Sequence, residues 1–212
     1  MYDHQEQEQI EDIKAWWKLY GKYVMLGFVV VIMGYAAFQG YNYYQKSENE
    51  KAGVLFEAVQ NAFHAQDENV VLNKAKELQE AYASNPLASR AALMAAFLAH
   101  KTGHTEDAVN ELIWVEAHTH EAMLVDLARL RHAGLLADQK KYNQALDLLN
   151  QNKDTAMLEA TLDLKGDIYT VMGKTNDARV AYQQIIDQTG TQNSLFKQLA
   201  RVKLDALGGS GK

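Results

Sequence analysis

The sequence predicts an all-α protein with a single amino-terminal transmembrane helix, followed by a stack of helical hairpins. Only one proline occurs in 212 residues, and runs of Val, Ile or Thr are few outside residues 23–38. This composition favours helix nearly throughout. An uncharged stretch runs from Tyr23 to Gln45. Beyond it, apolar residues recur at helical spacing, with breaks at Gly, Asn, Asp and Thr.

The uncharged stretch is long enough to cross a bilayer. As a helix, its 23 residues would extend about 35 Å, and the hydrocarbon core of a bilayer is about 30 Å thick. Aromatic residues flank it, namely Trp16, Trp17, Tyr20 and Tyr23 on one side and Tyr41, Tyr43 and Tyr44 on the other. Such belts are typical of membrane interfaces. The leader before the stretch is acidic, whereas a cleaved signal peptide has a short basic leader. We therefore expect an uncleaved anchor at residues 23–45.

Lysines beside the stretch indicate its orientation. They are Lys14, Lys18 and Lys22 on the leading side, and Lys46 and Lys51 on the trailing side. Under the positive-inside rule, this bias places residues 1–22 in the cytoplasm. These residues form an acidic leader with an amphipathic juxtamembrane part. Residues 46–207 would then form a domain on the far side of the membrane, and residues 208–212 a flexible tail.

Small residues in the stretch offer a contact face for another transmembrane helix. Gly27 and Gly34 share a helix face at seven-residue spacing, and Ala36 with Gly40 forms a small-xxx-small pair. These four residues are the candidate transmembrane contact face. The alternative is that the stretch contacts only the lipid bilayer, because small residues are common in transmembrane helices.

The chain beyond the stretch is predicted to form helices in series. The predicted helices cover residues 51–65, 70–83, 87–101, 105–116, 121–137, 141–150, 157–172, 175–188 and 192–206. Asn85 before Pro86 is typical of a helix start. Thr105 and Thr175 are expected to cap helices just after the turn glycines Gly103 and Gly173. Consecutive helices would pair as hairpins.

The hairpins match the tetratricopeptide repeat, in which small residues lie where two helices cross. The best unit has its expected packing positions at Leu162, Gly166, Tyr169, Gly173, Ala178 and Tyr182. The crossing residues Ala75, Ala108, Ala145 and Ala178 are spaced by 33, 37 and 33 residues, close to the expected period of about 34. The sequence therefore predicts a tetratricopeptide-like right-handed stack capped by helix 192–206. The alternative is a set of ordinary helical hairpins with chance spacing.

The concave side of such a stack is the expected binding surface. Registering the crossing alanines gives a candidate groove made of Arg90, Leu93, Phe97, Leu127, Leu130, Asp163 and Asp167. Exposed Leu and Phe side chains at these positions could accept an unfolded or amphipathic segment. The alternative is that the last helix or the first repeat folds over these residues and buries them.

The sequence offers no candidate catalytic, cofactor or metal site, so we expect a protein that is not an enzyme. The absence of cysteine excludes disulfides and cysteine-ligated metals. Gly173-Lys174-Thr175 lacks the earlier glycine of a phosphate-binding loop, because Ile168 occupies that position. No serine lies in a G-x-S-x-G elbow. The net charge is −6, and the two signs are interspersed, which argues against nucleic-acid binding.

Two histidine pairs have a spacing that could supply zinc ligands. Gly103 interrupts the helix between His100 and His104, and His118 and His120 lie in a predicted loop. Histidines in such loops are ordinarily solvated, so metal binding is not expected.

Three segments carry a resemblance to a known family. They are Gln9-Ile-Glu-Asp-Ile-Lys-Ala-Trp-Trp-Lys-Leu-Tyr-Gly-Lys22, Asp126-Leu-Ala-Arg-Leu-Arg131 and Leu164-Lys-Gly-Asp167. Over nearly its whole length the chain resembles the YfgM-like family, the ancillary subunits of the bacterial SecYEG translocon. The resemblance implies an inner-membrane protein with a periplasmic tetratricopeptide-like domain. It also implies association with the Sec channel and with a membrane-anchored periplasmic chaperone of the peptidyl-prolyl isomerase type.

The leading hypothesis is a non-enzymatic scaffold that links the translocation of exported client proteins to periplasmic chaperones. One alternative is a membrane-anchored regulator whose leader, residues 1–21, captures a cytoplasmic regulatory protein. The others are an envelope-assembly scaffold and a metal-dependent enzyme.

Overall fold

The computed structural model describes residues 2–188 and 194–208, with side chains described from residue 14 onward. The helices are α1 (Tyr2–His64), α2 (Glu68–Ala81), α3 (Pro86–Thr102), α4 (Thr105–His118), α5 (Ala122–Asp138), α6 (Tyr142–Leu149), α7 (Leu158–Val171), α8 (Thr175–Asp187) and α9 (Leu195–Ala206). A short 3-10 turn, Thr155–Met157, precedes α7. No strand occurs in these described ranges. The predicted all-α class is therefore confirmed. Residues 209–212 of the predicted tail at 208–212, and residue 192, where the last helix is predicted to start, lie outside the described residues.

Contacts divide the chain into two units, Met1–Lys51 and Ala52–Lys212. Within Lys14–His64, α1 has a stretch that is long enough and apolar enough to cross a membrane. Most of its large apolar side chains, among them Phe28, Ile32 and Phe38, are more than half exposed. A continuous exposed apolar surface of this kind suits contact with lipid. The predicted amino-terminal candidate transmembrane helix is confirmed.

The second unit contains four helical hairpins that share one turn geometry. Each turn has a residue with a left-handed backbone: Gln66, Gly103, Lys140 and Gly173, with φ between 58° and 92°. The N–H of the following residue donates to a carbonyl five positions earlier, at 2.8–3.0 Å in every turn. These hydrogen bonds close a helix end as in the Schellman motif. The hairpins pair the end of α1 with α2, α3 with α4, α5 with α6, and α7 with α8.

The turns correct one detail of the predicted register. Counting five residues from each left-handed residue aligns Val71 with Ala108, Ala145 and Ala178, and all four are fully buried. Ala75 was expected in this series, but it lies one helical turn further on. The error arose because a glycine indicates a left-handed turn in the sequence, whereas a glutamine such as Gln66 does not.

The predicted helix caps are partly right. The side chain of Asn85 caps α3 by accepting the Leu87 N–H at 3.0 Å, and Pro86 is the first helical residue. Thr105 and Thr175 do not cap their helices. Each is the first helical residue, because the tight turn leads directly into the next helix.

Small side chains let successive helices approach closely. The buried face of α3 is mostly alanine: Ala88, Ala91, Ala92, Ala95, Ala96 and Ala99. One core cluster joins α1, α2 and α3, a second joins α3, α4 and α5, a third joins α5, α6 and α7, and a fourth joins α7, α8 and α9. Each core is therefore shared with the next hairpin, as in repeat proteins whose units stabilise their neighbours.

Candidate functional site

The candidate transmembrane contact face divides into two faces. A helix advances by about 100° per residue, so Gly27 and Gly34 lie together, while Ala36 and Gly40 lie on nearly the opposite side. A Cβ atom added at Gly27, Gly34 or Gly40 would meet no atom within 4 Å, and Ala36 is exposed. Each face is thus open to a neighbouring helix, but one neighbour could not contact all four residues at once.

Helices α3, α5 and α7 carry the candidate groove, and its first two helices are partly closed to a ligand. The Arg90 guanidinium forms two hydrogen bonds with the Glu121 carboxylate, at 3.0 and 3.2 Å. Leu93 is buried in the core, and Leu127 and Leu130 are half-buried against it. Phe97 is 47% exposed. Of the four apolar residues in the predicted groove, only Phe97 presents a large exposed surface.

The third helix of the candidate groove is covered by α9. The Lys203 ammonium of α9 donates to Asp163 at 2.7 Å and to Asp167 at 2.9 Å. Burial opposes the charge of Lys203, but these two carboxylates outweigh it and raise the pKa of Lys203. The alternative that the last helix folds over part of the groove therefore describes this end of the domain.

The residues expected to pack the best repeat surround the crossing of α7 and α8. Tyr182 is 2% exposed, and its ring lies directly on Gly166, where an added Cβ would be 2.6 Å from the ring Cζ atom. The Tyr182 hydroxyl donates to Asp167 at 2.7 Å. Burial raises the pKa of Tyr182, and the charge of Asp167 adds to this. Leu162 and Ala178 are buried, Tyr169 is half-buried, and Gly173 has a φ of 73°.

Asp126, from one of the segments that carry the family resemblance, anchors the loop between α6 and α7. Its buried carboxylate accepts the N–H groups of Lys153 and Asp154, both at 2.6 Å. Arg129 donates to the same carboxylate at 3.2 Å. Two short backbone hydrogen bonds to one charged group form a strong attachment, so Asp126 has a structural role.

A cavity of about 230 Å³ opens between α3 and α5. It is bordered by Ala96, Phe97, His100, Leu112, Arg131, Gly134, Leu135 and Asp138. Sequence reasoning identified Phe97 as a groove residue, considered His100 only as a zinc ligand, and missed Arg131, Gly134 and Asp138. Gly134 could have been found, because it stands eleven residues before Ala145 just as Phe97 stands eleven before Ala108.

Among the described carboxyl groups, Glu111 on α4 has the pKa that its surroundings shift most. Burial raises the pKa of Glu111 to about 7, and nearby Asp107 adds to this effect. A hydrogen bond from Gln79 of α2 opposes it. One histidine of each pair has another partner: His104 lies 2.7 Å from Glu68, and the His118 ring stacks on Trp114. No group of three metal-ligating side chains occurs within the described residues.

Comparison with known proteins covers nearly the whole chain. A family model described as a tetratricopeptide repeat-like domain matches residues 14–209. A Neisseria gonorrhoeae protein named Ancillary SecYEG translocon subunit is 28% identical over 96% of this chain and 97% of its own. Proteins of the same name from Haemophilus influenzae and Aggregatibacter actinomycetemcomitans are 24% and 27% identical, each over 97% of this chain and 99% of its own. These names confirm the resemblance described from the sequence.

Proposed function

Because the chain belongs to the tetratricopeptide repeat-like family, we propose that it is a non-catalytic, membrane-anchored scaffold at the SecYEG translocon. The observation that carries this proposal is the extent of its similarity to the three ancillary translocon subunits. The aligned regions cover at least 96% of the chain. They therefore include the apolar stretch of α1 as well as the repeats.

The scaffold is a single-pass protein of the bacterial inner membrane, with its amino terminus in the cytoplasm and residues 46–207 in the periplasm. The exposed apolar surface of α1 supports the anchoring. Lys14, Lys18 and Lys22 before the span support the orientation, since basic residues are retained on the cytoplasmic side. A reporter fused after Lys212 should therefore be active only outside the cytoplasm. Activity of that reporter in the cytoplasm would refute the orientation.

In this scheme the repeats link translocation to folding. They contact exported client proteins and a membrane-anchored periplasmic chaperone of the peptidyl-prolyl isomerase type. Anchoring beside the channel raises the effective concentration of the repeats, so individually weak contacts suffice. The surface between α3 and α5 supports this role, because it combines an exposed aromatic ring, an open cavity and a cationic group.

Co-purification of the full-length chain with the channel in mild detergent tests the proposal. We expect the parent to retain the channel. The two faces of the span provide matched variants, Gly27→Leu with Gly34→Leu on one side and Ala36→Leu with Gly40→Leu on the other. One pair should weaken retention while membrane insertion stays intact, and the other should not. A parent that fails to retain the channel would refute the scaffold. Two variants that retain it as well as the parent does would show that the span is only a tether.

A further inference from the structure

The space over Gly134 is unexpected for a helix interior. Gly134 lies well inside α5, does not have a positive φ, and would accept a Cβ atom without meeting any other within 4 Å. Glycine weakens a helix relative to alanine, so an open glycine here costs stability. Gly166 in α7 differs, because a Cβ atom there would collide with the Tyr182 ring. The fold therefore explains Gly166 but does not explain Gly134.

A cation borders the same space. Arg131 lies one turn before Gly134, and within the described residues its guanidinium makes one hydrogen bond, from Nη1 to the Leu93 carbonyl at 3.2 Å. In the described part of the chain, no carboxylate lies within ion-pair distance of Arg131, whereas the neighbouring Arg129 has Asp126 at 3.2 Å. Although Arg131 is an exposed residue, desolvation lowers the pKa of its guanidinium. An anion placed beside it would use donors that the fold leaves free.

An exposed aromatic ring forms the opposite wall. Phe97 of α3 is 47% exposed, and its ring centroid is 5.7 Å from that of Phe63. The floor is apolar, with buried Leu112 and Leu135. The cavity volume of about 230 Å³ is below the roughly 300–1,000 Å³ of pockets that enclose a drug-sized ligand. It suits one large side chain of a longer molecule.

We propose that this cavity binds an extended peptide segment of a partner polypeptide. One large apolar side chain of the segment lies over Gly134 against Phe97, and an adjacent Asp or Glu carboxylate pairs with Arg131. The unpaired charge of Arg131 selects such a segment over a neutral apolar one. Asp138 lies two turns beyond Arg131, about 10 Å along the helix axis, and disfavours a second carboxylate at that end. The inference rests on the proposed scaffold function and names the chemistry of the segment that the scaffold receives.

Fluorescence anisotropy with short synthetic peptides tests the site on the full-length chain in detergent micelles. The probe is a Gly-Ser peptide with a central Phe-Glu step. The controls carry Phe-Lys or Ala-Glu at the same place. We expect the Phe-Glu peptide to bind at least about tenfold more tightly than either control, because each control loses one of the two interactions.

Two variants locate the binding site. Gly134→Leu fills the open space and should weaken Phe-Glu binding by at least about tenfold. Gly53→Leu is its matched control, since Gly53 is another helical glycine with no atom near its would-be Cβ, and it should bind as the parent does. Arg131→Gln should weaken binding of the Phe-Glu peptide and leave the Phe-Lys peptide unaffected. Circular dichroism melting shows whether each variant is folded.

Several outcomes would overturn the inference. One is a folded Gly134→Leu variant that binds Phe-Glu as tightly as the parent, and another is an Arg131→Gln variant that loses both peptides equally. A concentration-dependent dimer of the parent that Gly134→Leu abolishes would show that a second copy occupies the cavity. If the parent binds no peptide but still co-purifies with the channel, this inference fails while the scaffold function stands. If the parent binds the Phe-Glu peptide but does not co-purify with the channel, the scaffold function fails while the peptide site stands.

Discussion

Replacing Gly166 with alanine should destabilise the repeat domain by about 2 kcal/mol. The new Cβ atom would lie 2.6 and 2.7 Å from the Tyr182 Cζ and Cδ1 atoms, so the ring would have to retreat by roughly 1 Å to reach ordinary contact. The ring has little room, because Tyr182 is 2% exposed and its hydroxyl donates to Asp167 at 2.7 Å. Overpacking a core costs about 1–3 kcal/mol. Alanine regains about 1 kcal/mol of helix propensity over glycine, which offsets only part of a clash this close.

Urea unfolding of the full-length chain in detergent micelles, followed by circular dichroism, measures this effect. Gly134→Ala is the matched control, since its Cβ meets nothing within 4 Å and it should stabilise the domain by up to about 1 kcal/mol. In a Tyr182→Leu background the cost of Gly166→Ala should fall by more than half, because the two residues are in contact. A Gly166→Ala variant as stable as the parent would refute the packing of the α7–α8 crossing.

Three further predictions concern residues outside the Gly166 contact. Because the pKa of Glu111 is raised to about 7 from 4.5, the folded chain holds this proton more tightly than the unfolded chain, and stability falls as pH rises between these values. The Glu111→Gln variant should therefore be about 1–3 kcal/mol more stable than the parent at pH 8, and as stable as the parent at pH 4. A gain in unfolding free energy that does not depend on pH would contradict this prediction. Lys140→Gly should raise the free energy of unfolding by about 0.5–1 kcal/mol, since Lys140 has a φ of 61°, whereas a loss would show that the lysine side chain matters more than its backbone. Asp126→Asn should cost about 1–3 kcal/mol and speed hydrogen exchange at the Lys153 and Asp154 amides, because both N–H groups donate to one charged carboxylate oxygen and an uncharged amide oxygen accepts them more weakly. Unchanged exchange would mean that Asp126 does not anchor the loop.

Features controlled by neighbouring residues were predictable from the sequence. The start of α3 follows from Asn85 and Pro86, which cap and open a helix within three residues. Gly103 and Gly173 mark turns because glycine adopts a left-handed backbone readily. Gln66 and Lys140 adopt the same conformation without that signal. The first repeat was therefore placed one helical turn out of register, although its helices were correctly expected.

The candidate groove was less predictable because its state depends on distant parts of the chain. Asp163 and Asp167 pair with Lys203, which is 40 and 36 residues away, and no local pattern reveals that contact. Phe97 was found because repeat periodicity places it at a surface position. Gly134 was missed because its contribution is the absence of a side chain, and hydrophobic patterns register only side chains that are present.

Site-specific photocrosslinking from the span in intact membranes tests the proposed place of this protein at the translocon most directly. Photoreactive residues at Gly27 and at Ala36 sample the two opposite faces of α1. A scaffold anchored beside the channel should give adducts with SecYEG from one of these positions and mainly lipid adducts from the other. Lipid adducts alone from both positions, in membranes where the chain is fully inserted, would contradict residence of the span at the channel.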